Sequence, residues 1–211
     1  MDMEQVGIEK SATAEKIIQI ATEVFAEQGY DGAKVEAIAR RAKVNKSTLY
    51  YQVGGKAVLY STVLDSVLGQ TIDDVCHMVT EAQDPESKIQ AFIHTLSVSS
   101  QAKNYTAPIF LRELASGGKT LPDSALKQMG KLLGALTETI QQGIDDGLFR
   151  KVNPLFVHMM ILGSILLYQT NEPIRRRNVA ANPEIYNPEH FLNSEESAAQ
   201  IQNLILAAIR R

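Results

Sequence analysis

The chain has 211 residues, enough for one large or two small domains, and its 45% apolar and 21% charged residues are ordinary for a folded protein. This composition excludes a wholly disordered chain, and 13 glycines with 7 prolines exclude collagen-like or low-complexity architecture. The single cysteine, Cys76, cannot form an intramolecular disulfide and lacks the companions of a zinc ribbon. A disulfide-stapled secreted domain is therefore excluded, and the cytoplasm is the expected location.

Charge is distributed unevenly along the chain. The net charge is −3, yet residues 33–56 carry six basic side chains against one acidic side chain, Glu36. A compact basic segment on an acidic body indicates a surface that meets a polyanion, although basic residues also commonly solvate a helix face. The six basic residues are Lys34, Arg40, Arg41, Lys43, Lys46 and Lys56.

Apolar residues recur at helical spacing along almost the whole chain, which predicts an all-α protein. Residues 1–11 are polar, and we expect them to be disordered. The first helix is capped by Ser11 or Thr13 and ends at Gly29, which suits a C-cap. Short helices are predicted near 35–42 and 46–52, the second capped by Asn45, and a long helix runs from about 56 to 81.

The second half of the chain continues the helical pattern. Apolar stripes predict helices around 89–96, 109–114, 126–144, 154–170 and 195–211, whereas three prolines make residues 172–193 a long connection. Residues 154–170 are the most apolar stretch, at the short limit for a membrane span. A buried bundle helix is the favoured interpretation, and no membrane partner is expected.

Two short helices joined by a tight turn inside a basic segment indicate a helix-turn-helix. Apolar residues of both helices can lock them together, which leaves the other face of the second helix free. The N-terminal part of a recognition helix reads base edges, while hydroxyls and lysines hold phosphates. The outward residues are Lys46, Ser47, Tyr50 and Tyr51.

Residues 17–59, IIQIATEVFAEQGYDGAKVEAIARRAKVNKSTLYYQVGGKAVL, resemble the DNA-binding domain of the TetR/AcrR family of bacterial transcriptional regulators. The matching features are the segment FAEQGY that ends the first helix, the pair Ile38-Ala39, the pair Val44-Asn45, the segment TLY at 48–50, and Lys56 followed by Leu59. Several spaced positions coincide, so the signal is stronger than a lone short motif.

The resemblance implies an architecture and a function. It implies an N-terminal three-helix helix-turn-helix DNA-binding domain at residues 1–55, and a larger ligand-binding and dimerisation bundle of about six helices at residues 56–211. It further implies a homodimeric repressor that binds double-stranded DNA at a palindromic operator and is released by an unknown small-molecule inducer.

The resemblance also implies roles for single residues. Lys46 and Ser47 begin the recognition helix, where members contact bases, and Tyr51 matches a position that reaches base or sugar. Thr48, Tyr50 and Lys56 match phosphate contacts.

Three positions depart from the family pattern. Lys34 stands where members usually have a capping Thr, which loses a cap and adds a candidate phosphate contact. Lys43 stands where members usually have Gly in the turn, so that it must tolerate the backbone angles of the turn. Val53 occupies a position often filled by Phe.

The later helices carry the expected effector and dimer functions. Helix 154–170 is apolar nearly all round, which a monomer surface does not tolerate, so it is expected to form the homodimer interface with helix 195–211. Each candidate for the effector site also has an ordinary interpretation as a core residue. These candidates are Cys76, Met78, Phe92, His94, Phe110, Met129, Met159 and Tyr168.

The sequence offers no signature of catalysis. It contains no Gly-rich phosphate loop and no nucleophile elbow, and its four histidines show no metal-ligand spacing. We therefore expect no enzymatic activity, no metal and no cofactor. The alternative that stays open is a helical interaction or small-molecule carrier protein that does not bind DNA.

Overall fold

The computed structural model describes residues 11–103 and 105–211, so the expected disorder of residues 1–11 falls, apart from Ser11, outside the described chain. The described residues form eleven α-helices, a π-helical segment and a short 3₁₀ segment, with one isolated backbone bridge between Phe149 and Arg210. This confirms the all-α prediction. Chain contacts divide the protein into an N-terminal unit that ends at Leu64 and a C-terminal unit, Asp65–Arg211.

The N-terminal unit consists of four helices. They are α1 (Ala12–Gly32), α2 (Val35–Ala42), α3 (Lys46–Val53) and α4 (Lys56–Leu64). Ser11 caps α1 by accepting a hydrogen bond from the Ala14 amide. Gly29 has φ 69° and ψ 177°, so the regular helix breaks at the residue where its end was predicted.

One apolar stripe of α1 forms the core of this unit. α2, α3 and α4 all pack against α1, and the stripe residues Ile17, Val24 and Phe25 are almost completely buried. The ring of Phe25 meets the edge of Tyr60 on α4 at a centroid distance of 4.7 Å. The buried side of α3 contributes Leu49, so one face of this short helix is fixed and the other is free.

The C-terminal unit is a helical bundle built around α6. Its elements are a π-helical segment (Asp65–Gly69), α5 (Gln70–Glu81), α6 (Pro85–Ala102), α7 (Thr106–Ser116), α8 (Asp123–Asp145), α9 (Pro154–Thr170), α10 (Glu172–Ala181), a 3₁₀ segment (Pro188–His190) and α11 (Ser194–Ile209). α6 packs against α5, α8 and α11, and its residues Ile89 and Ile93 are fully buried. Local caps set the helix starts, among them Asp84 for α6, Asn153 for α9 and a capping box at Asn193 for α11.

The expectation of a long connection at 172–193 is wrong for its first half, which forms α10. Pro173 lies in the first turn of α10, where proline is tolerated because no helical partner needs its missing N–H. α10 has no buried residue, so the sequence has no apolar stripe from which this helix could be predicted. An ion pair between Glu172 and Arg176, four residues apart, supports the helix instead.

α9 exposes apolar side chains on one side and buries them on the other. Val157, Ile161 and Ile165 are buried, whereas Leu155, Phe156 and Met160 are 42–66% exposed. Within the described residues, no helix combines the length and the hydropathy needed to cross a bilayer.

A close contact between helix α8 and the chain after it depends on a glycine. A Cβ atom on Gly143 would lie 2.1–2.7 Å from ring carbons of Phe149, which is almost completely buried. The Gly143 carbonyl also accepts hydrogen bonds from the amides of Leu148 and Phe149. The chain therefore turns back onto α8 at a point that only glycine permits.

We expect Gly143→Ala to lower the free energy of unfolding by about 1–3 kcal/mol, because the buried Phe149 ring must shift. The matched control is Gly130→Ala on the same helix, where a Cβ meets nothing within 4 Å. That control is expected to raise stability by up to about 1 kcal/mol through helix propensity. Thermal and urea unfolding measure both, and equal effects of the two substitutions would contradict the packing argument.

Candidate DNA-binding surface and effector chamber

The turn between α2 and α3 sets the position of α3, the predicted recognition helix. Lys43 takes left-handed angles, φ 58° and ψ 40°, and is the only non-glycine residue with positive φ in the described chain. Lys43 therefore adopts left-handed backbone angles that usually favour glycine. The Val44 amide donates to Ala39 O at 3.0 Å, which closes the turn. The Asn45 side chain then caps α3 by accepting from the Thr48 amide at 2.7 Å.

α3 separates buried residues from exposed ones along its length. Leu49 and Val53 face the core, whereas Tyr50 is 43% and Tyr51 88% exposed. Lys46 and Tyr50 are four residues apart, as are Ser47 and Tyr51, so each pair shares one side of the helix. An aromatic side chain as exposed as Tyr51 contributes little to folding, so it is free to contact a partner.

Lys46 is held by an acidic neighbour across the turn. Its Nζ lies 2.5 Å from Glu36 Oε1 on α2 and 5.8 Å from the centre of the Tyr50 ring. The hydrogen bond between the two side chains lowers the pKa of the Glu36 carboxyl and raises the pKa of Lys46. The predicted base-reading lysine is therefore charged and already paired.

Not every basic residue of the segment faces outward for binding. Arg41 bridges Glu23 and Glu27 of α1, with N–O distances of 2.9 Å to each, so it ties α2 to α1. Lys56 lies 4.6 Å from the centre of the Tyr30 ring and donates to Asp31 O at 3.4 Å. Lys34 is exposed and makes no capping hydrogen bond, as its departure from the family pattern predicts.

The C-terminal unit contains an apolar chamber of about 330 Å³, a volume within the range of small-molecule sites. Of the eight candidate effector residues, Phe110, Met129 and Met159 line it. The remaining wall residues come from the π-helical segment and from helices α5 to α9. They are Leu68, Thr71, Ile72, Leu96, Ser100, Thr106, Leu111, Leu114, Leu132, His158, Leu162, Gly163, Leu166 and Leu167.

The other candidate residues lie elsewhere. Phe92 is buried, and its ring meets the ring of His158 edge-on at 6.2 Å. Cys76 is half-buried, with burial raising the pKa of its thiol, and Met78 is 45% exposed. His94 is exposed, and its Nε2 lies 2.8 Å from Glu195 Oε2 on α11.

Tyr168 lines a second, more polar cavity of about 410 Å³. Its hydroxyl accepts a hydrogen bond from the Leu192 amide at 2.7 Å, and the Arg175 guanidinium stacks over its ring at 3.9 Å. This cavity shares only Ser100 with the apolar chamber.

Four polar residues of the chamber wall were not predicted from the sequence, namely Thr71, Ser100, Thr106 and His158. All four are buried, and burial lowers the pKa of His158. The one available signal was a histidine inside the most apolar stretch of the chain. Among the described residues, no group of three or more His, Cys, Asp or Glu side chains is placed to hold a metal ion.

Family models match nearly the whole chain. Residues 17–63 match bacterial regulatory proteins of the tetR family, and residues 64–210 match the C-terminal region of YcdC-like protein. NicS of Pseudomonas putida, an HTH-type transcriptional repressor, is 26% identical over 164 residues, which cover 75% of this chain and 76% of NicS. RutR of Escherichia coli K12, an HTH-type transcriptional regulator, is 24% identical over 200 residues, which cover 95% of this chain and 92% of RutR.

A solved structure has the same fold. AibR in complex with isovaleryl coenzyme A and operator DNA has a TM-score of 0.70 and 17% identity, covering 91% of this chain and 97% of AibR. The family matches confirm the resemblance that residues 17–59 indicated. The chain belongs to the TetR family of bacterial regulatory proteins and is a ligand-responsive, DNA-binding transcriptional regulator.

Proposed function

We propose that this regulator is a repressor that binds a two-fold symmetric operator as a homodimer and releases it when a small apolar molecule fills the chamber. The observation that carries the proposal is the outward face of α3, whose polar and aromatic side chains have no role in the core. The protein acts in the cytoplasm and catalyses no reaction.

The contacts with DNA divide into two groups. Lys46, Ser47 and Tyr51 reach base edges or sugars, since they lie on the exposed first turns of α3. The phosphates are held by Lys34, Thr48, Tyr50 and Lys56, which position the protein without reading sequence.

The dimer interface is formed by α9 and α11. Leu155, Phe156 and Met160 of α9 are exposed, and so is Leu204 of α11, at 63%. These two helices pack on each other within one chain, and we expect a second copy to cover their exposed apolar residues. Dimerisation then presents two copies of α3 to successive major grooves, about 34–36 Å apart.

The effector occupies the apolar chamber. Its wall includes three of the residues singled out from the sequence, Phe110, Met129 and Met159, and no charged side chain. AibR is a precedent for this fold holding a small molecule and operator DNA in one complex. Binding of effector and of DNA must weaken each other by the same factor.

Substitutions on α3 and α4 test the two groups of DNA contacts. We expect Tyr50→Phe and Lys56→Ala to weaken binding to operator and random duplexes by similar factors, because phosphates are present on both. Lys46→Ala is expected to weaken operator binding about tenfold to a hundredfold and random binding much less, because it reads a base. Fluorescence anisotropy across salt concentrations gives these affinities, with the upstream region of the protein's own coding sequence as the first operator candidate. Equal losses for Lys46→Ala on both duplexes would make it a phosphate contact.

The pair formed by Glu36 and Lys46 predicts a gain of affinity. Glu36→Gln frees Lys46 and removes a negative charge beside the phosphates, so we expect binding to random duplex DNA to tighten about two- to fivefold at low salt. Glu15→Gln is the matched control, since it removes one exposed carboxylate from α1 without touching the turn. Anisotropy titration measures both variants. Unchanged or weaker binding by Glu36→Gln would show that the pair does not compete with DNA.

A substitution that narrows the chamber separates effector binding from operator binding. We expect Phe110→Trp to abolish thermal stabilisation by any small molecule that stabilises the parent protein, while operator affinity stays within about twofold. Ile185→Trp, at a position 76% exposed and outside the chamber wall, is the control and keeps the response. A compound that still stabilises Phe110→Trp would place the effector elsewhere.

A further inference from the structure

The chamber wall contains four polar side chains, and two of them lack hydrogen-bond partners. Thr71 Oγ1 lies 3.4 Å from Val67 O, and Ser100 Oγ bonds to Ser97 O at 3.2 Å and to the Gln169 amide. Thr106 Oγ1 and both ring nitrogens of His158 have no partner among the described residues. Thr106 is 5% and His158 4% exposed, so both side chains are buried.

Two unsatisfied buried groups in one wall call for a common explanation. A buried polar group without a partner destabilises a protein, and native proteins keep few of them. The other two polar side chains of the same wall are satisfied, whereas Gln128 and Arg175, outside the wall, also carry a buried side-chain atom without a partner among the described residues. A bound molecule that supplies the missing partner is one explanation for such groups.

The chemistry of the wall restricts what that molecule offers. Burial lowers the pKa of His158, so the imidazole is neutral near pH 7 and provides one donor and one acceptor. The Thr106 hydroxyl rotates and also donates or accepts. No lysine, arginine, aspartate or glutamate lines the chamber to balance an ionised group.

We propose that the effector carries one uncharged hydrogen-bonding group, a hydroxyl or a carbonyl, that is held by His158 and Thr106 while its apolar remainder fills the chamber. This inference rests on the proposed function, which places the effector in this chamber. A carboxylate in the same position is disfavoured, because it finds no cation there. The chamber surface is apolar in this structure and the unsatisfied atoms are not accessible from it, so the proposed contact requires both side chains to change rotamer.

The first test needs no ligand. Thr106→Val and His158→Leu remove unsatisfied polar atoms, so we expect each to raise the midpoint of thermal unfolding by about 2 °C or more. Thr139→Val is the matched control, because Thr139 is equally buried, lies outside the wall, and its hydroxyl donates to Ala135 O at 2.8 Å. That control is expected to leave the midpoint unchanged or to lower it. If Thr106→Val and His158→Leu leave the midpoint unchanged or lower it, as the control does, the proposal is overturned.

The second test uses four probes of matched size in thermal-shift titrations. These are a 1-alkanol, a 2-alkanone, a 1-chloroalkane and an alkanoate, each with chains of roughly six to twelve carbons. The alcohol and the ketone are expected to bind about tenfold more tightly than the chloroalkane, and Thr106→Val and His158→Leu are expected to erase that difference. Stabilisation led by the chloroalkane or the alkanoate, or by none of the probes, would overturn the proposal.

Titration of the same complexes with operator DNA distinguishes this inference from the proposed function. A probe that shows the expected preference and also weakens DNA binding supports both. If the preference is found but DNA affinity is unchanged, the polar anchor is supported and the effector role fails, since a ligand that binds the DNA-binding conformation and any other conformation equally well does not change their populations.

Discussion

Burial of one apolar stripe per helix is the constraint on which both units depend. A helix that buries one side leaves the opposite side free to bind other molecules. In α3, Leu49 is inaccessible, whereas Tyr51 is almost fully exposed. α9 departs from the rule because it is apolar on nearly all sides. Its surplus apolar surface faces partly the chamber and partly the exterior. The positions of the DNA-binding, effector and dimer regions therefore follow from how each helix divides its residues.

Sequence patterns predicted those parts of the structure that rest on local chemistry or on periodic burial. Asn45 as a cap and the extent of α9 follow from short-range signals, and the structure has both. α10 was missed because a helix without buried residues has no apolar period. His158 was missed because a single histidine in an apolar helix has the same pattern whether or not it has a partner. Contacts between distant residues, such as the one between Gly143 and Phe149, have no local signature.

Counting charges in the sequence overstates the positive field of the DNA-binding surface. Arg41 is engaged by two glutamates of α1, and Lys46 is engaged by Glu36. Both pairs are exposed, so each contributes little to stability and the charges stay sensitive to salt. Arg41 connects α2 to α1. In the proposed complex, Lys46 must leave the Glu36 carboxylate to reach a base edge, a loss that every duplex imposes. We therefore expect the pair to favour sites that offer Lys46 a good base contact and so to sharpen discrimination between sequences.

The wall of the chamber shares buried residues such as Phe110 and Leu166 with the hydrophobic core of the C-terminal unit. The bulkiest inaccessible side chains of that unit, including Phe92, Ile93, Leu136 and Ile140, do not line the chamber. Substitutions at the partly exposed wall positions, such as Met129 and Met159, can therefore accumulate without emptying the interior, and a lineage can exchange one inducer for another while its architecture persists. The same positions make the protein a tractable starting point for a genetically encoded sensor, because a library confined to them varies specificity at lower risk to folding than one that includes Phe110 or Leu166.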